Sequence, residues 1–287
     1  MYKSVQGWGQ DPVVLKTVAD LRGWTGRSRA AGKTIALVPT MGALHEGHLT
    51  LVREGLKQAD AVIVSIFVNP AQFGPGEDLD AYPRTWDADL EKLTATGAHA
   101  VFYPAASEMY PEGFSTNVSV RGVSEPLEGA KRPGHFDGVA TVVSKLLLQC
   151  LPDAALFGEK DWQQLQVIKQ MVADLNIPVE ITGVPTVRDQ NGLALSSRNA
   201  YLSEEEYKIA CTLNKTLFAA AEKIAAGEAV ETARQWGIKA LEEAGFGAID
   251  YLEVRDAGTL AAPGDGRLRV LAAVKCGKAR LIDNVAV

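Results

Sequence analysis

The sequence of 287 residues predicts an α/β fold: a doubly wound, mostly parallel sheet followed by a smaller C-terminal α+β domain. Two observations support this prediction. Before residue 187, short apolar runs alternate with amphipathic segments, as buried strands alternate with helices in a parallel sheet. After residue 188, two helical segments are followed by strand-like segments with short connections. We therefore expect one domain over residues 1–187 and a second over residues 188–287.

Apolar runs predict the strands of the first domain, and amphipathic patterns predict its helices. We expect strands at residues 35–38, 61–68, 100–103 and 154–157, and helices at 48–59, 86–96, 137–150 and 162–175. Residues 179–187 carry strand-like segments that Gly183 and Pro185 interrupt. Asp11-Pro12 predicts a further helix, capped by the aspartate and continuing towards Ala31. Alternation from Thr116 to Val120 predicts an edge strand.

A turn signal and a helix-capping signal mark the first elements of the second domain. Asp189-Gln190-Asn191-Gly192 predicts a turn. Ser203 and Glu206 have the spacing of a capping box, which predicts the start of a helix that reaches about Ala226. A second helix is expected at residues 228–244, and strands at 249–254, 268–274 and 280–285.

Composition and charge restrict the partners and the compartment. The net charge of −6 disfavours an extended basic surface for nucleic acid. Cys150, Cys211 and Cys276 are odd in number and far apart, which favours a reducing compartment. The start, Met1-Tyr2-Lys3-Ser4, has no apolar signal core, and no apolar run reaches membrane-spanning length. We expect a cytoplasmic protein without nucleic-acid or membrane partners.

The stretch from Val38 to His48 joins a predicted strand to a predicted helix, and the rest of the chain is organised around it. Gly42 and Gly47 permit a turn that approaches a ligand closely. His45 and His48 are three residues apart, so they project from one side of the first helical turn. A helix N-terminus adds N–H donors and partial positive charge. A phosphate-binding site is favoured. An ordinary strand-to-helix turn and half of a metal site are the alternatives.

Gly158-Glu159-Lys160-Asp161 repeats this arrangement after another predicted strand. Lys160 is placed to reach a phosphate, and Asp161 is placed to cap the helix or to bind ribose hydroxyls. Gln164 lies three residues further along, on the same helix face. An ordinary helix entry and a solvated glutamine are the alternatives. Ligands of parallel sheets bind beyond the carboxyl ends of the strands, so the central turn and residues 69–72 should border one crevice.

Three further groups carry polar side chains suited to ligands. Ser196-Ser197-Arg198 places two hydroxyls and a guanidinium ahead of a helix, which suits polyphosphate oxygens or is an ordinary serine-rich turn. Gln72 is a neutral donor and acceptor suited to a hydroxyl or a carboxylate. An acidic cluster is either an Mg²⁺ site shared with phosphate oxygens or a solvated surface. Its members are Glu77, Asp78, Asp80, Asp87 and Asp89.

Six motifs occur along nearly the whole chain in a specific order. They are Pro39-Thr40-Met41-Gly42-Ala43-Leu44-His45-Glu46-Gly47-His48, Phe67-Val68-Asn69-Pro70-Ala71-Gln72-Phe73, Asp80-Ala81-Tyr82-Pro83-Arg84-Thr85, Arg132-Pro133-Gly134-His135-Phe136, Phe157-Gly158-Glu159-Lys160-Asp161 and Leu195-Ser196-Ser197-Arg198-Asn199. In this combination the chain resembles the pantothenate synthetases, the AMP-forming pantoate–β-alanine ligases. The two-histidine motif alone would indicate only the wider superfamily of nucleotidyltransferases and class I aminoacyl-tRNA synthetases.

The resemblance implies a fold, a reaction and an assembly. The fold is a Rossmann-like sheet of the nucleotidyltransferase superfamily with a small C-terminal lid domain. In the family's reaction, ATP and (R)-pantoate give pantoyl adenylate and pyrophosphate, and β-alanine then releases pantothenate and AMP. The resemblance also implies Mg²⁺ as a cofactor and a homodimer. Ser196-Ser197-Arg198 lies just past the predicted domain junction, so closure of the small domain is expected to bring it over the triphosphate.

Matching positions imply the roles of individual residues. The implied catalytic residues are His48 as proton donor, His45 as its partner, Lys160 and Arg198. Pantoate would be held by Gln72 and Gln164, β-alanine by Gln72, and Mg²⁺ by Asp89. The implied ATP-binding residues are Met41, Gly42, Ala43, Leu44, His45, Glu46, Gly47, His48, Gly158, Glu159, Lys160, Asp161, Val187, Leu195, Ser196, Ser197 and Arg198. Asn69, Tyr82 and Arg132 are further candidates.

Departures from the family pattern at Leu195, Ala71, Trp162 and Ala88, and two rival functions, accompany this prediction. Leu195 replaces the usual methionine at similar volume, and Ala88 interrupts an acidic run, which weakens the metal role of Asp89. A nucleotidyltransferase acting on a phosphorylated small molecule would share the histidine motif but release no AMP. A non-catalytic, synthetase-like RNA-binding protein is disfavoured by the acidic charge balance.

Overall fold

The computed structural model describes residues 11–287, so the start at Met1-Tyr2-Lys3-Ser4 lies outside the described residues. Among residues 11–287, six parallel strands form one sheet and three antiparallel strands form a second. The parallel strands are β1 (Val13–Leu15), β2 (Ile35–Thr40), β3 (Ala61–Ile66), β4 (Ala100–Phe102), β5 (Ala154–Gly158) and β6 (Glu180–Val184). The antiparallel strands are β7 (Ile249–Asp256), β8 (Leu268–Cys276) and β9 (Ala279–Ala286).

Helices separate the parallel strands and precede the antiparallel sheet. They are α1 (Val18–Ala30), α2 (Glu46–Gln58), α3 (Trp86–Thr96), α4 (Ala106–Met109), α5 (Glu128–Lys131), α6 (His135–Cys150), α7 (Trp162–Asp174), α8 (Glu204–Ala225) and α9 (Val230–Glu243). Short 3₁₀ turns occupy Pro70–Gln72, Glu159–Asp161 and Ser197–Tyr201. Together these elements confirm the predicted α/β class with a parallel sheet and a smaller C-terminal α+β part.

Contacts divide the described chain into two compact units. The first contains the described residues up to Val120, Pro133–Gly158 and Ile168–Val184. The second contains Arg121–Arg132, Glu159–Val167 and Pro185–Val287. Two segments of the second unit thus precede residue 188, and the domain boundary predicted there stays a prediction.

Strand order places a switch point at the centre of the parallel sheet. The order is β1-β4-β3-β2-β5-β6, so successive strands run from β2 towards β4 on one side and from β5 to β6 on the other. Ala36 and Leu37 of β2 pair with Ala154 and Ala155 of β5. In open α/β sheets, ligands bind beyond the carboxyl ends of the strands at such a point. Thr40 and Gly158 end the two strands there.

Burial explains why these segments form strands and helices. The side chains of Ile35–Val38 and the whole of β3 are buried, as expected for strands that are covered on both faces. In the second unit, α8 opens with the predicted capping box, in which Ser203 Oγ accepts the N–H of Glu206. Its buried face joins β7, β8 and β9 in one apolar cluster. Within residues 11–287, no helix combines the length and apolar character needed to cross a bilayer.

The predicted helix start at Asp11-Pro12 is wrong. Val13–Leu15 forms β1, which pairs in parallel with β4, and the helix begins at Val18. Thr17 is the actual N-cap, because its Oγ1 accepts the N–H of Asp20 at 3.0 Å while the Asp20 carboxylate accepts the N–H of Thr17. Pairing with a distant strand outweighs the local capping signal.

The predicted edge strand from Thr116 to Val120 is also wrong. This segment extends without strand pairing. The N–H of Val118 donates instead to the side-chain hydroxyl of Thr141 on α6, at 2.9 Å. A hydroxyl on a helix thus accepts the N–H that a neighbouring strand would accept in a sheet.

Candidate active site

The turn after β2 has a backbone conformation that brings its amides together. Gly42 has φ +85°, and Ala43 has φ +50°, a value that is uncommon for a residue with a side chain. Thr40 stabilises the start of the turn: its hydroxyl donates to the Ser65 carbonyl at 2.8 Å and accepts the N–H of Gly42 at 3.2 Å. The turn therefore leaves the sheet at the switch point in a defined shape.

Helix α3 holds this turn from a second direction. The buried carboxylate of Asp89 accepts the N–H groups of Ala43 at 2.9 Å and Leu44 at 2.7 Å, and also the Thr85 hydroxyl. Lys92 donates to the Leu44 carbonyl at 2.6 Å. Each Asp89 oxygen thus accepts a backbone N–H group, and the predicted Mg²⁺ ligation by Asp89 stays a prediction. The positive φ of Ala43 is sustained by these bonds.

The histidine pair sits at the start of α2. His45 is the N-cap residue, and its backbone N–H donates to Nδ1 of His48 at 3.3 Å. The two ring centroids are 4.1 Å apart. A backbone N–H can only donate, so Nδ1 of His48 accepts, and the neutral ring carries its proton on Nε2. Nε2 of His48 is therefore the ring nitrogen that carries an N–H, and it lies beside the N-terminus of α2.

The remaining residues of this motif take different positions. Gly47 lies in the first turn of α2. Glu46 forms an exposed ion pair with Arg53, and the hydrogen bond from Arg53 lowers the pKa of Glu46. Met41 contacts Gln72, whose Nε2 lies 3.0 Å from the methionine sulfur. The structure thus brings Gln72, predicted for pantoate, next to Met41 of the motif that is predicted for ATP.

A chain of amides fixes the orientation of Gln72. Asn69 Nδ2 donates to Gln72 Oε1 and to the carbonyl of Gly138, both at 3.1 Å. Asn69 Oδ1 accepts the Tyr110 hydroxyl at 2.7 Å and the N–H of Ala71 at 3.3 Å. The backbone carbonyl only accepts and the backbone N–H only donates, so the orientation of Asn69 is set. In turn, Gln72 directs its oxygen to Asn69 and its NH₂ group to Met41.

The glycine–lysine motif is divided between the two units. Gly158 ends β5 in the first unit, and a Cβ added there would meet no atom within 4 Å. Glu159, Lys160 and Asp161 form a 3₁₀ turn in the second unit, where Lys160 Nζ lies 3.5 Å from the Asp161 carboxylate. Gln164 follows, half-buried, on α7.

The structure brings the other predicted ATP residues of the second unit together in one hairpin. The N–H of Leu195 donates to the Val187 carbonyl at 3.0 Å, beside the bridge between Arg188 and Ala194. Ser196 caps the following 3₁₀ turn, since its Oγ accepts the N–H of Arg198 at 3.3 Å. Ser197 and Arg198 begin that turn.

Two further candidates have structural partners. Tyr82 is buried with its ring edge-on to Phe73, at a centroid distance of 6.0 Å. Arg132, in the second unit, has Nη1 3.9 Å from the Glu128 carboxylate. Sequence reasoning missed Lys92, Tyr110 and Asn284, which hold site residues in place. The supporting role of Asp89 has a local signal in the sequence. Asp89 lies in the first turn of a predicted helix, where an acceptor can bind nearby amides.

The parallel sheet, with the turn after β2 at its switch point, defines a class: an α/β protein of the nucleotide-binding type. Residues 13–286 match the family model described as Pantoate-beta-alanine ligase. The chain therefore belongs to the pantoate–β-alanine ligase family.

Relatives and solved structures are similar to this chain over nearly its full length. Pantothenate synthetase of Caulobacter vibrioides is 55% identical over 281 residues, covering 96% of this chain and 99% of the relative. That of Azotobacter vinelandii is 56% identical over 282 residues, covering 96% and 99%. The crystal structure of pantothenate synthetase from Thermus thermophilus has 46% identity and a TM-score of 0.90, covering 95% of this chain and 98% of that one. The ligase from Francisella tularensis, complexed with β-γ ATP and β-alanine, has 33% identity and a TM-score of 0.81, covering 96% and 97%.

Proposed function

We propose that this protein condenses (R)-pantoate with β-alanine to form pantothenate, at the expense of ATP, through a pantoyl-adenylate intermediate. One observation supports the ATP site above all. Asp89 fixes the shape of the turn at the switch point, and this turn leads to His48, with a proton on Nε2, at the N-terminus of α2. This arrangement suits the phosphates of a nucleotide.

The first step transfers the adenylyl group. A pantoate carboxylate oxygen attacks the α-phosphorus, a new P–O bond forms, and the bond to the β-phosphate oxygen breaks to release pyrophosphate. Negative charge accumulates on the phosphate oxygens, so catalysis depends on positioning and on cationic and N–H donors. We assign those donors to His48, Lys160 and Arg198, with His45 orienting His48 through its backbone N–H.

The second step forms the amide. The β-alanine nitrogen attacks the acyl carbon of the adenylate, the bond from that carbon to the phosphate oxygen breaks, and AMP leaves with the electron pair. Gln72 and Gln164 hold pantoate in this proposal, and Gln72 also contacts β-alanine. The NH₂ group of Gln72, whose oxygen is occupied by Asn69, is the part that suits an acceptor oxygen of a substrate.

The other residues that we assign to ATP binding lie in the turn after β2, in the turn after β5 and in the hairpin that pairs Val187 with Leu195. Gly158 leaves room for close approach of a ligand, and Val187 and Leu195 are paired through their backbones. Mg²⁺ enters this proposal with the ATP substrate. Residues 11–287 contain no group of three or more His, Cys, Asp or Glu side chains placed to hold a metal ion.

Assembly and compartment are part of the proposal. We propose a homodimer, and sedimentation equilibrium that returns the mass of a single chain would contradict it. A cytoplasmic location is supported by three cysteines that are all buried and free.

Product analysis tests the function. With ATP and pantoate, we expect about one pyrophosphate per active site in a rapid first turnover, and AMP should appear steadily only after β-alanine is added. A nucleotidyltransferase would release pyrophosphate without AMP. Failure of β-alanine to stimulate AMP formation would therefore overturn the proposed reaction.

Substitution tests the assigned donors. His48→Ala and Lys160→Ala should each slow pyrophosphate release by at least about 100-fold, the scale for losing one donor that stabilises transition-state charge. Near-normal release by either variant would contradict the role given to that residue.

A further inference from the structure

The turn that bears Lys160 is held by a side chain of the C-terminal strand. Asn284 of β9 is buried, and its amide nitrogen donates to the carbonyl oxygens of Glu159 and Lys160, each at 2.9 Å. A carboxamide nitrogen has two hydrogens, so one is available for each carbonyl. The residues joined are 125 and 124 positions apart in the sequence.

The orientation of this amide is set by its surroundings. Arg269 donates from Nη1 to Asn284 Oδ1, and a guanidinium can only donate. The carbonyls of the turn can only accept, so the amide nitrogen must face them. Arg269 is itself held, with its guanidinium 3.3 Å from the centroid of the Trp162 ring and Nη2 3.7 Å from the Glu159 carboxylate.

Strand β9 also contacts the turn that bears Arg198. It touches Ser197–Tyr201 as well as Glu159–Asp161. Asp283, the residue before Asn284, accepts two hydrogen bonds from the Arg188 guanidinium at 2.6 and 2.8 Å. Arg188 begins the hairpin that leads to Ser196 and Arg198. Adjacent residues of one strand therefore hold the turn that carries Lys160 and the hairpin that leads to Arg198.

We propose that Asn284 is a positioning residue for adenylate formation, which holds the main chain of Glu159 and Lys160 so that the Lys160 ammonium meets the triphosphate. This inference rests on the proposed role of Lys160. Asn284 is proposed to contact no substrate and to act only through Lys160. Misplacing a catalytic group by about 1 Å can cost about 100-fold in rate, so loss of this support should be visible in the chemistry.

Asn284→Asp isolates the two donated hydrogen bonds. The carboxylate has nearly the same volume and still accepts from Arg269, but it presents an oxygen to the two carbonyls. Gln163→Glu is the matched control, because Gln163 is a buried carboxamide of the same unit that also donates to two backbone carbonyls. Those carbonyls belong to Val123 and Pro126, at 2.9 and 2.7 Å. Asn284→Ala is a second variant in case the aspartate prevents folding.

The measurement is single-turnover pyrophosphate release with ATP and pantoate, made with and without Lys160→Ala. We expect Asn284→Asp to slow release about 10- to 100-fold when Lys160 is present, and less than about threefold when it is absent. Gln163→Glu should leave the rate within about threefold of wild type, whatever its effect on thermal stability.

Two results would overturn the inference: a wild-type rate for Asn284→Asp, or the same loss with and without Lys160. A normal rate for Lys160→Ala would instead contradict the proposed function of the lysine. Slow release by Lys160→Ala together with normal release by Asn284→Asp would contradict this inference alone.

Discussion

Asp89 shows at the scale of one residue how a buried carboxylate can shape a binding loop. Its two oxygens accept the N–H groups of Ala43 and Leu44, and Thr85 donates a third hydrogen bond. A buried carboxylate needs such donors to offset its lost hydration. The hydrogen bonds therefore favour a positioning role over the predicted Mg²⁺ ligation.

Asp89→Asn should separate these two roles. The substitution turns one accepting oxygen into an NH₂ group that faces a donor. We expect pyrophosphate release to slow about 10- to 100-fold, and the free energy of unfolding to fall by about 1–3 kcal/mol. The Mg²⁺ concentration that gives half-maximal rate should stay unchanged, which a magnesium titration of the variant measures.

The control is Asp87→Asn, which removes an exposed carboxylate from the same first turn of α3. It should leave both the rate and the stability close to wild type. Recovery of Asp89→Asn activity at high Mg²⁺ would support metal binding and contradict the positioning role.

At the scale of elements, the close approach of α6 to the turn Pro70–Gln72 positions Gln72. A Cβ built on Gly138 of α6 would lie 2.1 Å from the Ala71 carbonyl oxygen and 2.7 Å from Gln72 Cα. These are backbone atoms, so the helix and the turn would have to separate. His135, at the start of α6, also contacts the Gln72 carbonyl, with Nδ1 2.8 Å from the oxygen.

Gly138→Ala should therefore disturb the pantoate site through the backbone. We expect the free energy of unfolding to fall by about 1–3 kcal/mol, the usual cost of overpacking. The KM for pantoate should rise more than the KM for ATP, because the displaced turn carries Gln72. Denaturant unfolding and steady-state kinetics measure the two effects.

Gly26→Ala is the matched substitution on α1, where a Cβ would meet no atom within 4 Å. An alanine in a helix interior should stabilise the protein by about 0.5–1 kcal/mol and leave the KM values unchanged. If Gly138→Ala behaved in the same way, the close approach of helix and turn would not matter for binding.

At the scale of the whole chain, the second unit is assembled from three separate segments. Glu128, on the first of them, is buried and accepts two hydrogen bonds from Arg280 of β9, each at 2.7 Å. Tyr251 of β7 donates a third at 2.8 Å. Burial alone would raise the pKa of Glu128, but hydrogen bonding and the charge of Arg280 hold it below the ordinary value of 4.5.

This pKa predicts how stability depends on pH. The folded-state pKa of Glu128 is lower than that of the unfolded chain, so its stabilisation is complete above about pH 4.5 and declines as the pH falls through the folded value. Glu128→Gln should lower the free energy of unfolding at pH 7 by about 3 kcal/mol, the scale for breaking a buried ion pair. It should also flatten the acid-side dependence, measured by denaturant unfolding between about pH 3 and pH 7.

Glu243→Gln provides the comparison, since Glu243 forms an exposed pair with Lys239 on α9 of the same unit. Solvent screens such a pair, so its loss should leave both quantities nearly unchanged. An equal response of the two variants would show that the buried network around Glu128 contributes no more to the free energy of unfolding than an exposed ion pair does.

Local sequence signals indicate the turns of the candidate site better than they indicate the residues that support those turns. The turns that carry His48, Lys160 and Arg198 were predicted because each lies between local strand and helix signals. Helix α3, Trp86–Thr96, was predicted to the residue for the same reason. Asn284 and Tyr110 were not predicted, because their partners lie far away in the chain and polar residues of this kind are common on surfaces.

The sequence by itself determined the α/β class, the family motifs and the capping box of α8, since all of these depend on residues close together in the chain. Tertiary structure alone decided the strand order, the pairing of Val13–Leu15 as a strand, and the grouping of Glu159–Val167 with the C-terminal sheet. The physical reason is that hydrogen bonds and burial between distant segments outweigh local preferences of well below 1 kcal/mol per residue. Such long-range pairings leave no periodic pattern in the chain.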